Sequence, residues 1–146
     1  MWDAGPRIGD RIAVVGGGKI GLTLAESLKD KGHEVIIIDE HKRLGHDVAP
    51  TWKWRHTSWV KELSIETVTG VKVKDISAAG VTVLDADGER LVEANVIIAA
   101  SPIRANQELF QDFQWMVDEL HGTGDAMVPG DLTLAILNGY RLGCRI

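Results

Sequence analysis

The sequence predicts an α/β protein in which a parallel sheet is built from a strand–helix–strand unit. Two apolar segments rich in β-branched residues, Arg11–Gly16 and Glu34–Asp39, lack the alternation of a half-exposed strand and are typical of strands covered on both faces. The segment between them, Lys19–Lys31, carries apolar residues at helical spacing and is followed by Gly32, a helix stop. Together they predict the right-handed βαβ unit of a Rossmann-like fold.

Apolar side chains also define the expected buried faces of two helices. In the first helix this face comprises Ile20, Gly21, Leu24, Ala25 and Leu28. A second helix is expected with Thr51 as its N-cap, and its apolar face comprises Trp52, Trp59, Val60 and Leu63. Trp52 and Trp59 are expected in the core, whereas Trp54 lies on another side and is expected at an interface.

Short segments after the second helix predict a small antiparallel meander and then a return to the main sheet. The meander segments are Ser64–Thr69, Val71–Ile76, Val81–Leu84 and Glu89–Glu93, the last two flanking a hairpin signal at Asp85–Gly88. Asn95–Ala100 is again an apolar strand, expected to be buried, and ends before Ser101 and Pro102. A closing helix is expected over Leu132–Gly143.

Composition and charge exclude several classes of protein. The 146 residues fit one ordinary domain, and 45% hydrophobic with 25% charged residues is the balance of a soluble globular protein. Sixteen Lys plus Arg are scattered among twenty-one Asp plus Glu, for a net charge of -5, so no nucleic-acid partner is expected. No apolar run approaches the ~20 residues that span a bilayer and the N-terminus has no leader pattern, so no membrane partner is expected.

Several kinds of reactive site are also not expected. Cys144 is the single cysteine, which excludes an internal disulfide or thiolate cluster within the chain and favours a cytoplasmic location. No serine stands in a GxSxG elbow, so hydrolase chemistry has no support. The histidines show no HxH, HExxH or Cys/His spacing, and no metal site is expected among His33, His41, His46, His56 and His121.

A glycine-rich motif lies between the first strand and the first helix. The run Gly16-Gly17-Gly18-Lys19-Ile20-Gly21 matches GxGxxG. Its first glycine permits the tight turn, its second lets the backbone approach a pyrophosphate, and its third lets the helix lie close to the strand. Free N–H groups and the helix dipole favour anions at this helix N-terminus. The motif therefore predicts binding of a dinucleotide or ADP.

Two carboxylates at the end of the second strand bear on the choice of dinucleotide. Asp39 lies eighteen residues after Gly21, where a carboxylate can accept hydrogen bonds from the adenosine ribose. Asp39 and Glu40 favour NAD(H), because they would repel the 2′-phosphate of NADP(H). NADP(H) stays open as the second choice, since Lys42 and Arg43 could reach a 2′-phosphate or could simply be a solvated pair.

The sequence resembles a known family. The segment IAVVGGGKIGLTLAESLKDKGHEVIIID resembles the pyridine-nucleotide-binding domain of flavin-dependent, disulfide-reductase-like enzymes. VIIAASPIRANQEL is similar to their return strand, and GDAMVPGDLTLAILNGYRLGCRI resembles their second flavin signature. The order and spacing are most similar to the C-terminal part of the NADH:flavin oxidoreductases of the 2,4-dienoyl-CoA reductase and trimethylamine dehydrogenase type.

The resemblance implies that the chain is a C-terminal piece of a larger flavoprotein. The family carries an FMN barrel with a four-cysteine iron–sulfur cluster, then a flavin-binding domain into which the nucleotide domain is inserted, and this chain has neither the barrel nor the cluster cysteines. The resemblance also implies that Gly124 and Asp125 contact FAD, which is bound only in the complete parent protein. Ser101 stands where the family more often has glycine.

Two functions follow as hypotheses. Residues 11–104 are predicted to form an NAD(P)-binding Rossmann domain, and residues 105–146 a segment of a flavin-binding-type domain, packed on the first domain or on a second copy in a homodimer. The first hypothesis is the NAD(H)-binding domain of a flavin-dependent oxidoreductase, with no catalytic acid or base in this chain. The alternative is a non-catalytic ADP- or NAD-binding module with a structural or sensing role.

Overall fold

The computed structural model describes residues 10–101 and 103–146, and the chain divides into two compact units. Unit 1 ends at Ser101, and unit 2 comprises the residues after it up to Ile146. Two parts of the chain lie outside the described residues: residues 1–9, where no leader is expected, and Pro102, at the expected strand end. The two-domain assignment, with its boundary at residue 104, stays a prediction.

The described part of unit 1, residues 10–101, contains two sheets and two helices. Its strands are β1 (Arg11–Val15), β2 (Glu34–Asp39), β3 (Glu66–Thr69), β4 (Lys72–Ser77), β5 (Gly80–Asp85), β6 (Gly88–Glu93) and β7 (Val96–Ala99). Helix α1 (Lys19–Asp30) connects β1 to β2, and helix α2 (Pro50–Glu62) connects β2 to β3. Four strands form a sheet in the order β3-β2-β1-β7, in which every pairing is parallel. The predicted Rossmann-like α/β fold is confirmed.

The other three strands form the antiparallel meander in the order β4-β5-β6. The hairpin predicted at Asp85–Gly88 joins β5 to β6, and Gly88 has the positive φ of +121° that such a turn favours. The prediction that Ser64–Thr69 begins the meander is wrong, because α2 carries the chain back across the sheet and β3 then pairs in parallel with β2. Val68 of β3 is accordingly buried.

The parallel sheet is covered on both faces, as its apolar strands predicted. Successive residues of β2 point to opposite faces, so Ile37 belongs to the cluster under the helices and Ile36 to the cluster under the meander. The cluster on the helical face comprises Ile12, Val14, Leu22, Ala25, Leu28, Val35, Ile37, Val48 and Ile65. The expectation that the last strand is buried is wrong, since β7 lies at the sheet edge and its residues are half-buried or exposed.

Helix α1 packs on the sheet with a face slightly different from the predicted one. Its buried residues are Gly21, Leu22, Ala25, Glu26 and Leu28, whereas Ile20 is 61% exposed. The prediction for Ile20 is wrong because a repeat of four residues advances about 40° beyond each full turn. Between Leu28 and Ile20 the offset adds up to about 80°. The Ile20 side chain therefore lies off the buried face, in the exposed first turn of α1.

Two predictions for helix α2 are wrong, namely its N-cap and the core position of its tryptophans, and the helix contains no fully buried residue. Val60 and Leu63 of the predicted apolar face do pack against the core cluster. Thr51 is not the N-cap: Ala49 occupies that position and Pro50 follows at the first helical position, where its missing N–H costs nothing. Trp52 is 56% exposed. Trp59 is half-buried outside both core clusters, with the Arg55 guanidinium 4.6 Å from its ring centroid. Trp54, expected at an interface, is exposed.

Unit 2 consists of helix α3 (Glu108–Phe113), a short 3-10 turn at Gly124–Ala126, and helix α4 (Leu132–Gly143). The closing helix is confirmed with its predicted bounds, and Asp131 caps it by accepting a hydrogen bond from the Leu134 N–H at 2.8 Å. One side of α4 exposes apolar residues at four-residue spacing, namely Leu132, Ile136 and Tyr140. Within the described residues, no helix has the length and apolar character that crossing a membrane requires.

A polar pair connects the two helices of unit 1. Glu26 of α1 accepts a hydrogen bond at its Oε1 from His56 Nδ1 of α2 at 2.8 Å, and both side chains are largely buried. Burial raises the pKa of Glu26, and the hydrogen bond and charge of His56 only partly oppose this. The folded protein therefore holds the Glu26 proton more tightly than the unfolded chain does.

This raised pKa predicts a pH-dependent stability difference between wild type and Glu26→Gln. The contribution of Glu26 is fully present below its unfolded pKa and is lost as pH rises through its folded pKa. Urea unfolding from about pH 4 to about pH 7 is therefore expected to show wild type losing stability relative to Glu26→Gln. The change should be larger in a His56→Asn background, which lacks the opposing hydrogen bond. A difference that stays constant across this range would contradict the assignment.

Candidate dinucleotide-binding site

The strand-to-helix turn after β1 has a backbone that only glycine fits. Gly16 adopts a φ of +112° and donates its N–H to the Ile38 carbonyl of β2 at 2.8 Å. A Cβ on Gly16 would lie 2.5 Å from the Ala100 carbonyl oxygen, just beyond β7. The turn is therefore wedged between the carboxyl ends of β2 and β7, at the edge of the sheet where ligands bind in this fold.

The third glycine of the motif also serves the fold. A Cβ on Gly21 would overlap the carbonyl oxygen of Gly16, which is backbone and cannot move aside. Its absence lets α1 start directly against the end of β1. The structural roles that the motif predicts for Gly16 and Gly21 thus correspond to real close approaches.

Gly18 differs from these two glycines, because the space beside it is filled by a movable side chain. It is the N-cap of α1 and has an ordinary φ of −76°. A Cβ there would come within 2.9 Å of both carboxylate oxygens of Asp47. Asp47 is exposed, so this contact could be relieved by rotation of its side chain. Of Gly16, Gly18 and Gly21, Gly18 is the one whose nearest neighbour is a side chain and not backbone.

Asp47 is a site residue that the sequence analysis missed. Its Oδ1 accepts a hydrogen bond from the Lys19 backbone N–H at 2.7 Å, so a carboxylate occupies the N-terminus of α1. This is the position that the helix dipole favours for the phosphate of a ligand. The loop is held there because Gly45, with a φ of +65°, donates its N–H to the Gly17 carbonyl at 2.7 Å. The sequence signal for it is an acidic residue two positions after Gly45, in the loop that follows β2.

Asp39 lies at the end of β2, as predicted, but its side chain is only 4% exposed. Its Oδ2 accepts a hydrogen bond from the Gly17 N–H, and its Oδ1 accepts from the His41 N–H at 2.6 Å and from His41 Nδ1 at 2.9 Å. Burial alone would raise the pKa of Asp39, but these hydrogen bonds outweigh it and hold the pKa below its usual value. The carboxylate is therefore ionised, and its hydrogen bond with the Gly17 N–H holds the glycine turn in place.

The remaining predicted site residues are exposed, except for Gly124, which is half-buried. Lys19 and Ile20 form the open first turn of α1, and Glu40 follows Asp39 on the surface. Gly124 and Asp125 belong to unit 2, where Gly124 has a φ of +65° and Asp125 Oδ1 accepts a hydrogen bond from the Gly130 N–H at 3.2 Å. Their role toward a flavin stays a prediction.

Comparison with known proteins identifies the family. Residues 3–123 match the family model described as pyridine nucleotide-disulphide oxidoreductase, and the chain belongs to this family. The family is one of FAD- and NAD(P)-binding oxidoreductase domains. The predicted resemblance to the nucleotide-binding part of NADH:flavin oxidoreductases is confirmed.

Three relatives show how the chain relates to complete proteins. It is 25% identical to a metal reductase of Desulforamulus reducens, covering 92% of this chain and 24% of that protein, and 24% identical to an NADH oxidase of Thermoanaerobacter brockii, covering 94% and 21%. A structure of 2-naphthoyl-CoA reductase with 2-naphthoyl-CoA superposes with a TM-score of 0.79 at 26% identity, covering 96% of this chain and 22% of that one. The chain therefore spans about a quarter or less of the length of these relatives.

Because Gly21 and Gly18 have different neighbours, replacing each with alanine should change the free energy of unfolding by different amounts. Gly21→Ala is expected to lower the free energy of unfolding by about 1–3 kcal/mol or more, because the Gly16 backbone must move. Gly18→Ala is the matched control and should cost about 1 kcal/mol or less, because only the Asp47 side chain must rotate. Urea unfolding of both variants measures the difference, and equal losses would contradict the distinction.

Proposed function

We propose that this chain binds NAD(H) and acts as the nicotinamide-nucleotide domain of a larger flavin-dependent oxidoreductase, in which hydride passes between nicotinamide and flavin. The observation that carries the proposal is the turn from Gly16 to Gly21, placed at the carboxyl end of β1 beside the ionised carboxylate of Asp39. This is where parallel α/β sheets bind dinucleotides. The nicotinamide and the flavin supply the redox chemistry, and the protein supplies binding and orientation.

The pyrophosphate is assigned to the N-terminus of α1. There the backbone N–H of Lys19 and the open space at Gly18 would receive phosphate oxygens once Asp47 moves away. The N–H of Gly17 is already donated to Asp39, so this amide contributes rigidity to the turn and is not assigned to the phosphate. Lys19 and Ile20 flank the ligand from the exposed first turn.

NAD(H) is preferred over NADP(H) for electrostatic reasons. The ionised Asp39 and the adjacent Glu40 would face the ribose, and either would repel a 2′-phosphate. The relative named NADH oxidase supports the same choice. NADP(H) is the second candidate, because Lys42 and Arg43 are exposed immediately beyond these carboxylates.

Unit 2 is assigned to the flavin side of the parent protein. Gly124 and Asp125 would contact FAD there, together with parts of the parent that this chain does not contain. The exposed apolar side of α4 at Leu132, Ile136 and Tyr140 would be covered by those parts or by a second copy in a homodimer. The exposed thiol of Cys144 fits a reducing, cytoplasmic setting.

The second candidate function is a non-catalytic module that holds ADP or NAD as a structural or sensing ligand. It is favoured by the hydrogen bonds that Asp39 accepts from Gly17 and His41, because they order the candidate site without a flavin. The two functions differ in one property: the first requires reduction of a flavin or dye by NADH when the parent's flavin part is present. The module would bind the nucleotide and transfer no hydride.

Calorimetric titration of the chain with NADH, NADPH, ADP and FAD tests the nucleotide site. NADH is expected to bind more tightly than NADPH, and Gly18→Ala to weaken NADH binding about tenfold or more by crowding the phosphates. Gly139→Ala, on α4 with nothing within 4 Å of the added carbon, is the matched control and should leave binding unchanged. Absence of binding by any of these nucleotides would contradict the proposal.

Asp47 is expected to compete with the ligand phosphate for the N-terminus of α1. Asp47→Asn should therefore tighten NADH binding about three- to fivefold, because it removes a negative charge worth roughly 1 kcal/mol at this position. Asp75→Asn, on the exposed strand β4, removes the same charge elsewhere and should change the affinity little. Equal effects of the two variants would show that only net charge matters.

A further inference from the structure

The segment after β2 gathers three side chains of the types that ligate metals. Asp39, His41 and His46 each offer one ligand atom, and these atoms all lie within 4.8 Å of one another. His41 Nδ1 lies 2.9 Å from Asp39 Oδ1, and the rings of His41 and His46 stack with centroids 3.9 Å apart. The spacing Asp-x-His-x4-His is none of the HxH, HExxH or Cys/His patterns, which is why the sequence predicts no metal here.

The separation of the ligand atoms is close to what a small cation needs. Nitrogen and oxygen ligands bind Zn²⁺ at about 2.0–2.1 Å, which places neighbouring ligand atoms of a tetrahedral site about 3.3 Å apart. Because no two ligand atoms are more than 4.8 Å apart, the widest pair must close by at most about 1.5 Å to reach this distance. Both histidines are exposed, so their side chains can rotate and water can complete the coordination.

The two oxygens of Asp39 have separate partners, and a cation on one of them would replace only the hydrogen bond from the His41 ring. Oδ2 accepts a hydrogen bond from the Gly17 N–H, whereas Oδ1 accepts from the backbone N–H and the ring Nδ1 of His41. A metal on Oδ1 would therefore leave the glycine turn intact.

The backbone on either side of the histidines is fixed by hydrogen bonds. The His41 carbonyl accepts from the Gly70 N–H at 3.1 Å, and Gly45 donates its N–H to the Gly17 carbonyl at 2.7 Å. Val48 in turn donates its N–H to the Gly45 carbonyl at 3.2 Å and is buried in the core. Because both histidines stand on an anchored segment, little ordering is required when an ion binds.

We propose that Asp39, His41 and His46 form a binding site for Zn²⁺ or a similar divalent first-row transition metal. Two imidazole nitrogens and one carboxylate oxygen are the ligands, and water completes the site. This donor set suits Zn²⁺, Co²⁺ and Ni²⁺, whereas Mg²⁺ and Ca²⁺ require more oxygen ligands. Since Asp39 is also the residue assigned to the ribose, metal and NADH compete for it, and this consequence rests on the proposed function.

Titration with Co²⁺ alone, followed by visible d–d absorption and by calorimetry, tests the site directly. A Cys144→Ser background removes the exposed thiol as a competing ligand. One Co²⁺ per chain is expected, displaced by Zn²⁺ and not by Mg²⁺. His46→Asn should weaken binding about tenfold or more, and so should His41→Asn. His121→Asn, which alters an exposed histidine paired with Glu119, is the matched control and should bind as the background does.

Three results would overturn the metal site: no Co²⁺ binding, equal binding by His46→Asn and the background, or equal displacement by Mg²⁺. Circular dichroism of each variant checks that the fold is kept, and His46 is exposed, so its replacement should preserve the fold. Competition is measured by repeating the NADH titration with Zn²⁺ present, where NADH affinity should fall in wild type and stay unchanged in His46→Asn. Metal binding without any NADH binding would instead overturn the proposed function and leave the metal site standing.

Discussion

The hydrogen bond from the Gly17 N–H to the buried carboxylate of Asp39 is the interaction on which the candidate site depends. It joins the turn after β1 to the end of β2, the strand that pairs in parallel with β1. Because the carboxylate is buried, leaving either partner unsatisfied would be costly. The same carboxylate also orients His41, so one side chain determines the shape of both the glycine turn and the loop that follows β2.

Within this frame the motif glycines divide into two groups. Gly16 and Gly21 are required by the backbone itself, since an added carbon would meet carbonyl oxygens of the fold. Gly18 instead lies against the Asp47 carboxylate, so an internal anion occupies the position proposed for the ligand phosphate. Under the proposed function, a dinucleotide would have to displace this carboxylate, and its net affinity would reflect the difference between the two anions. The loop that carries Asp47 also carries the two histidines of the proposed metal site.

The sequence predicts the parts of the fold that local patterns determine. The bounds of β2 and of α4 follow from an apolar run and from helical periodicity, and the glycine spacing correctly places the turn between β1 and α1. Prediction from the sequence fails where the residues that pack or pair together are distant in the chain. For example, β3 resembles a meander strand until its pairing with β2 is known. Trp52 resembles a core residue, yet it lies on a helix with no buried side chain.

The same limit applies to the site. Asp39 could be predicted because its distance from the glycine motif is characteristic of this fold. Asp47 and the grouping of His41 with His46 could not, because both depend on how the loop folds back over the turn.

The most direct test of the nucleotide site is a titration of the isotopically labelled chain with ADP and NADH, monitored by the backbone amide resonances. If the pyrophosphate binds at the N-terminus of α1, the largest shifts should fall on Gly18, Lys19 and the loop that includes Asp47. Shifts confined to residues of unit 2, or no shifts at saturating nucleotide, would contradict the assignment of this turn as the binding site.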